Sequence, residues 1–402
     1  MSITNKKLIM PKTLINHFKP PTNPLKFLYL LIYLLYLLIV SWSAVSNPFY
    51  SWDMIPYTAI VLSLEQPSDK QTLHSKTYQT IKQQVPPPVY AELTKPGYRQ
   101  EMAQNPDYFH QQLPFYQIRP LYTGLSNLLY KTGINVVTAI VMISVLSSLF
   151  MSIIILRWLL NELDNGYAYL FAFLIIHISG VIQIGSALTP DALSAALLIL
   201  SMYLLIQRHL YVAGSLLVLA LFARTDNIIL IVLIFSYLTV LAPNEYRLNR
   251  TAGGVFLLLS IVSYLAINHL ANNYGWATVF HHTFIGSIPN PADFHPNVTW
   301  TDYLSVLAPN SMNAFYWSHS LLFMLFLGLM TIFLASVHKT NHLRSPTHQI
   351  YSHLTVLLIL SVLIHCLLFP FPVFWQRFFI AHFSMISVVV TIFNTNTLFN
   401  NQ

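Results

Sequence analysis

Lys26-Phe27-Leu28-Tyr29-Leu30-Leu31-Ile32-Tyr33-Leu34-Leu35-Tyr36-Leu37-Leu38-Ile39-Val40 carries one charge, at its first position, and the apolar run continues to Val45. Residues 26–45 are long enough to cross about 30 Å of hydrocarbon as a helix. The run gives way to polar sequence at Trp52-Asp53. Comparable runs follow as far as Phe393, and the length rule places spans at 26–45, 134–156, 166–187, 190–207, 210–224, 226–241, 251–270, 319–337, 350–370 and 373–393. With 55% hydrophobic and 8% charged residues and a mean hydropathy of +0.57, the chain has too little polar surface to coat a soluble globule. The expectation is an all-α polytopic membrane protein of about ten transmembrane helices with a large first extracytoplasmic loop.

Lys and Arg in the short connections set the orientation. With the N-terminus cytoplasmic, Lys6, Lys7, Lys12, Lys19, Lys26, Arg157, Arg208, Arg247, Arg250, Lys339 and Arg344 lie inside, against Arg224 and Arg377 outside. Ten spans return the C-terminus to the same side. The net charge of +7 therefore describes topology and contact with the lipid bilayer rather than nucleic acid, since no extramembrane segment carries a basic stripe interleaved with aromatics. The single cysteine, Cys366, lies in a span and excludes an intramolecular disulfide. A bacterial inner membrane fits best, with residues 26–45 as an uncleaved anchor.

Residues 1–25 read as a cytoplasmic tail and 26–402 as one membrane domain with outer loops at 46–133 and 271–318. The first loop holds Pro86-Pro87-Pro88 and ends in an interfacial amphipathic helix from about Phe115 to Lys131, where Tyr116, Tyr122 and Tyr130 suit the headgroup level. No internal repeat is visible.

Asp53 begins a helix in which it shares a face with Tyr57. A carboxylate where lipid, water and a long loop meet either does chemistry or caps the helix, and the two roles are compatible. Thr189-Pro190-Asp191 reads as a helix start with a capping hydroxyl, proline in the first turn and an acid near the positive dipole end. Arg224-Thr225-Asp226-Asn227 lies between two arms of about 15 residues, each about 22 Å long and shorter than the hydrocarbon is thick. That turn is expected below the membrane surface, lining a polar cavity, with an Arg224–Asp226 ion pair as the alternative to an anion site. Arg119, before Pro120, and Arg377, in Trp375-Gln376-Arg377, are interface anchors taken singly; with Arg224 they offer three guanidiniums at one level, suited to bidentate grip on phosphate. His281-His282 could hold a metal or a sugar phosphate, although no Asp or Glu stands at metal spacing, and a solvated pair is the simpler account.

Taken together, Trp52-Asp53 after the first span, the large first loop, Arg119-Pro120-Leu121-Tyr122 and the Thr-Pro-Asp and Arg-Thr-Asp-Asn helix starts resemble the GT-C class of membrane glycosyltransferases. That class uses lipid-linked sugars and includes the lipid A aminoarabinose transferase and the protein O-mannosyltransferases. The resemblance implies that Asp53 is the catalytic base or orients the acceptor, and that Arg119, Arg224 and Arg377 hold the carrier phosphate. It implies a polyprenyl-phosphate-linked sugar as donor, with the acceptor unidentified. Met54 stands where several branches carry a second acid, and the loop has no Asp-x-Asp. No cofactor is therefore fixed, and dependence on a divalent metal stays open. One carboxylate with several cations suits displacement of a carrier phosphate better than glycoside hydrolysis, which uses two carboxylates. The other functions compatible with this sequence are a transporter or flippase for a lipid-linked or anionic substrate, and a non-catalytic envelope-assembly subunit.

Overall fold

The computed structural model describes residues 24–338 and 346–399. Lys6, Lys7, Lys12, Lys19, Lys339 and Arg344, used above for orientation, lie outside the described residues. Among those described the chain is helical throughout, apart from turns and one parallel bridge between Phe49 and Ala187, closed by Phe49 N–H donating to Ser186 O at 2.8 Å.

Among the described residues five helices are long and apolar enough to cross a membrane: Pro24–Ser46, Val136–Glu162, Arg250–Leu270, Pro346–Leu368 and Gln376–Thr395. A broken pair, Trp300–Trp317 and His319–Leu334, bent by 79°, gives a sixth. The chain is thus a multi-pass membrane protein with five or six such helices where ten were expected. Six of the expected spans coincide with these elements. The other four, 166–187, 190–207, 210–224 and 226–241, contain Asn165–Ile178, Asp191–Ile206, Leu210–Ala223 and Ile228–Val240, of 14, 16, 14 and 13 residues. At 1.5 Å per residue these reach only about 20–24 Å. Local backbone stops them. Gly180 takes φ +85° just after the first, Arg208 takes φ 64° just after the second, and Arg224 is extended just after the third.

The Pro24–Ser46 helix buries only Tyr33, Leu37 and Ala44, while Ile32, Leu38, Ile39 and Trp42 stand more than half exposed. An all-apolar helix with most of its surface uncovered is suited to lipid. The last helix is the opposite case, since its side chains from Ile380 to Val390 are all buried, the apolar ones in the main core that also holds Leu198, Met324 and Leu358. Close contact is built on small residues at some crossings: Gly253 packs so tightly that an added Cβ would lie 2.0 Å from Thr239 Oγ1.

The first loop is a packed cap. Its helices are Met54–Glu65, Lys70–Gln84, Pro87–Leu93, Tyr98–Gln104, Pro106–Gln112, Pro114–Gln117 and Pro120–Lys131. Asp69 caps the second through Gln71 and Thr72 N–H at 3.0 Å, and Asn105 caps the fifth through Asp107 and Tyr108 N–H. A second core, including Met54, Ile55, Val61, Tyr78, Phe109, Tyr122 and Ile140, seats these helices on the start of Val136–Glu162. The expected continuous helix over 115–131 is split, because Pro120 disfavours α backbone at Arg119, which sits at φ −126°, ψ 56°.

The second loop crosses the first. Gln112 Nε2 donates to Ile288 O and Pro289 O at 3.1 and 3.0 Å, and Tyr274 Oη donates to Gln111 O at 2.9 Å. Its Trp300–Trp317 helix begins with a capping box between Thr299 and Asp302. Tyr303 and Trp276 donate to Leu367 O and Leu368 O, carbonyls that the end of the Pro346–Leu368 helix leaves unpaired.

Candidate functional site

Where the cap, the short helices and the last span meet, the chain forms a half-open cavity of about 400 Å³. Asp53, Tyr57, Arg119, Asp191, Arg224, Asp226, His282 and Arg377 all line it, although they come from segments up to 324 residues apart. His281, the remaining candidate, does not. It sits in the short π-helical turn His281–Ile285 with its ring against Phe294 at 4.8 Å.

Asp53 occupies the position before the Met54–Glu65 helix, yet its side chain makes no capping bond. Its own backbone is helical at φ −54°, which turns the carboxylate away from the first-turn N–H groups and toward the cavity. Tyr116 Oη donates to Oδ1 at 3.2 Å, and Arg377 Nη1 and Nη2 approach Oδ2 at 3.4 Å. Burial first, and then the Asp53 charge, hold the Tyr116 phenol well above its ordinary pKa, so the phenol remains a donor to the carboxylate. Tyr57, one turn on, is fully packed edge-on against Tyr116 and Tyr122 at 5.3 and 5.1 Å.

Asp191 heads the Asp191–Ile206 helix and is 4% exposed. The hydroxyl of Thr189 does not cap this helix as the sequence suggested. Pro190 holds the cap position, and Thr189 Oγ1 donates at 2.7 Å to Asp191 Oδ2. Arg224, extended at the end of Leu210–Ala223, donates through Nη1 to Asp191 Oδ1. It also forks onto Asp226 through Nε at 3.0 Å and Nη2 at 2.7 Å. The Arg224–Asp226 ion pair considered from the sequence is therefore present, and Asp191 joins it. His365 Nε2 reaches Asp226 Oδ2 at 3.2 Å, and Phe378 lies 4.2 Å beneath the Arg224 guanidinium.

The three guanidiniums are not equivalent. Arg224 serves two carboxylates in a nearly closed site, with its side chain 8% exposed. Arg377, 27% exposed, spans Asp53 and, at 3.8 Å through Nε, Asp191. Arg119 forms no ion pair among the described residues. It donates to Phe115 O at 2.8 Å and lies over the rings of Tyr57 and Tyr116 at 5.9 and 5.7 Å.

The rest of the lining is apolar and neutral polar, including Trp276, Val279, Leu368, Phe369, Asn268 and Asn273. His282 closes it, with Nδ1 accepting from Ile288 N–H at 2.9 Å and its ring near Phe115 and Tyr98. Burial pushes the His282 pKa down to about 4. Among the described residues no three His, Cys, Asp or Glu side chains are grouped to hold a metal ion.

Sequence reasoning passed over Tyr116, His365 and Phe378. Tyr116 looked like a headgroup anchor, and His365 is a lone histidine in an apolar run whose partner is 139 residues away. The Phe378 position beside Arg377 gave no signal of its own. Comparison of the chain with protein-family models, curated proteins and solved structures finds no match.

Proposed function

We propose that the protein is a membrane glycosyltransferase that moves a sugar from a polyprenyl-phosphate carrier to an acceptor hydroxyl at the extracytoplasmic face, as the GT-C resemblance suggests. The observation that carries this reading is Asp53: a partly exposed carboxylate, free of capping duty, on a cavity lined by three aspartates, three arginines and apolar side chains such as Val279, Leu368 and Phe369. An amphiphilic donor has its phosphate matched to the arginines and its chain to the apolar lining.

In the reaction, the acceptor oxygen forms a bond to the anomeric carbon as the bond from that carbon to the carrier phosphate oxygen breaks. Asp53 takes the hydroxyl proton, and the phosphate leaves with the bonding pair, its charge met by guanidinium. Displacement from the face opposite the leaving group inverts the anomeric centre. A positioned base contributes about 10²- to 10⁴-fold, and cations fixed at the leaving group act on the same transition state.

The test is transfer in membranes supplied with polyprenyl-phosphate sugars. Asp53→Asn is expected to lower the rate by about 10²-fold or more with protein level unchanged. Full transfer by that variant sinks the assignment of the base. Donor translocation in liposomes with no new glycosidic bond points instead to a transporter, a reading that the short helices ending at Arg224 also support.

A further inference from the structure

The cavity's carboxylates and guanidiniums divide into a locked set and an exchangeable one. Arg224 has both edges of its guanidinium committed to Asp191 and Asp226, and its side chain is only 8% exposed. Arg377 differs in three respects. Its contacts to Asp53 are 3.4 Å, longer than the 2.7–2.9 Å typical of a charge-assisted bond. Both partners remain about a quarter to a third exposed, at 27% and 29%. Arg377 also lies in the first turn of the last span, Gln376–Phe379, with its guanidinium over Trp375 and Phe378 at 4.8 and 5.1 Å. Across the same cavity Arg119 has aromatic faces and a carbonyl but no carboxylate.

We propose that Arg119 and Arg377 together form a binding site for phosphate-ester oxygens, and that Asp53 occupies Arg377 only until such an anion arrives. This deepens the glycosyl-transfer reading and rests on it in taking the anion to be phosphate. Arrival of the anion replaces Asp53 Oδ2 at Arg377, while Tyr116 keeps Asp53 Oδ1 in place. Asp53 Oδ2, no longer held by Arg377, is then open to an acceptor hydroxyl, so the event that supplies cations to the leaving group also frees the group that takes the proton. Arg224 has no part in the exchange, because moving it would break three charge-assisted bonds and leave Asp191, 3% exposed, short of its main cation.

Competition predicts an unusual sign: removing the Asp53 charge should improve phosphate binding. The full chain in nanodiscs is titrated calorimetrically with inorganic phosphate and, separately, with farnesyl phosphate. Asp53→Asn is expected to tighten binding about two- to fivefold, the range for an ion pair exposed to this degree. Arg377→Gln is expected to weaken it about tenfold or more, and the double variant to match Arg377→Gln alone. Arg377→Lys, which keeps the charge, should retain part of the affinity and guards against loss of folding as the cause. Tighter binding of farnesyl phosphate than of inorganic phosphate assigns the anion to a lipid headgroup, and equal binding assigns it to free phosphate. The proposal is overturned if neither probe binds, if Asp53→Asn leaves affinity unchanged or lowers it, or if Arg377→Gln binds like the parent. A chain that shows the exchange but forms no glycosidic bond overturns the transfer reading alone.

Discussion

Replacing Arg224 by Gln and Arg377 by Gln should separate a structural guanidinium from a working one. Arg224 donates to Asp191 and twice to Asp226, with its side chain 8% exposed and that of Asp191 3% exposed. Its loss leaves Asp191 with the Thr189 hydroxyl and Arg377 Nε at 3.8 Å, and Asp226 with His365. Breaking a buried ion pair by deleting one partner typically destabilises by about 3–5 kcal/mol, since the stranded charge stays out of water. Arg377 touches Asp53 at 3.4 Å where both side chains are partly solvated and reaches Asp191 only at 3.8 Å, and an exposed pair contributes less than about 1 kcal/mol. Arg224→Gln is therefore expected to lower unfolding free energy by at least about 2 kcal/mol more than Arg377→Gln. Denaturant titration of both variants in the same bicelles, followed by tryptophan fluorescence, measures the difference. Adding Asp191→Asn to Arg224→Gln should recover part of the loss by removing one stranded charge. Equal destabilisation by the two arginine variants, or no recovery in the double variant, refutes this division of the cavity.

Other parts of the molecule make separate predictions. Burial holds His282 at a pKa of about 4 against 6.5 when unfolded, so the unfolded chain binds the extra proton first. Stability should be fully present above about pH 6.5 and fall as pH drops toward 4, by at most about 3 kcal/mol, with the slope reduced in His282→Gln; pH-dependent melting measures it. Gln112→Ala removes both bonds to Ile288 O and Pro289 O and should speed hydrogen exchange across 286–293 without altering exchange in the Val136–Glu162 helix. Gly253→Ala forces a methyl onto Thr239 and should destabilise by about 1–3 kcal/mol in the same denaturant assay.

Long crossings were readable because hydropathy over about twenty residues measures what lipid requires. Their number was overestimated for a local reason. Hydropathy continues smoothly through Ser179-Gly180 and almost to His209, where backbone at positive φ ends the helices early. The Trp300–Trp317 helix was hidden by its Asn residues and by Pro309, although Thr299 with Asp302 is a readable start signal. At the cavity, charges in an apolar chain were conspicuous enough that eight of nine chosen side chains share one space. His281 was included only because it adjoins His282, and adjacent residues on a helical turn point in different directions. Tyr116 and His365 were missed because their partners are set by tertiary contact, about which local sequence is silent. The N-cap account of Asp53 failed on backbone angle, a property that residue type alone does not determine.

The bridge between Phe49 and Ala187 has a bearing on the two acids beyond it. Asp53 and Asp191 each follow their bridging residue by four positions, so a common main-chain fastening gauges the separation of the carboxylates. The arginine between them reaches in from a different element, the start of the last span, so the spacing of the acids and the placing of the cation are set independently.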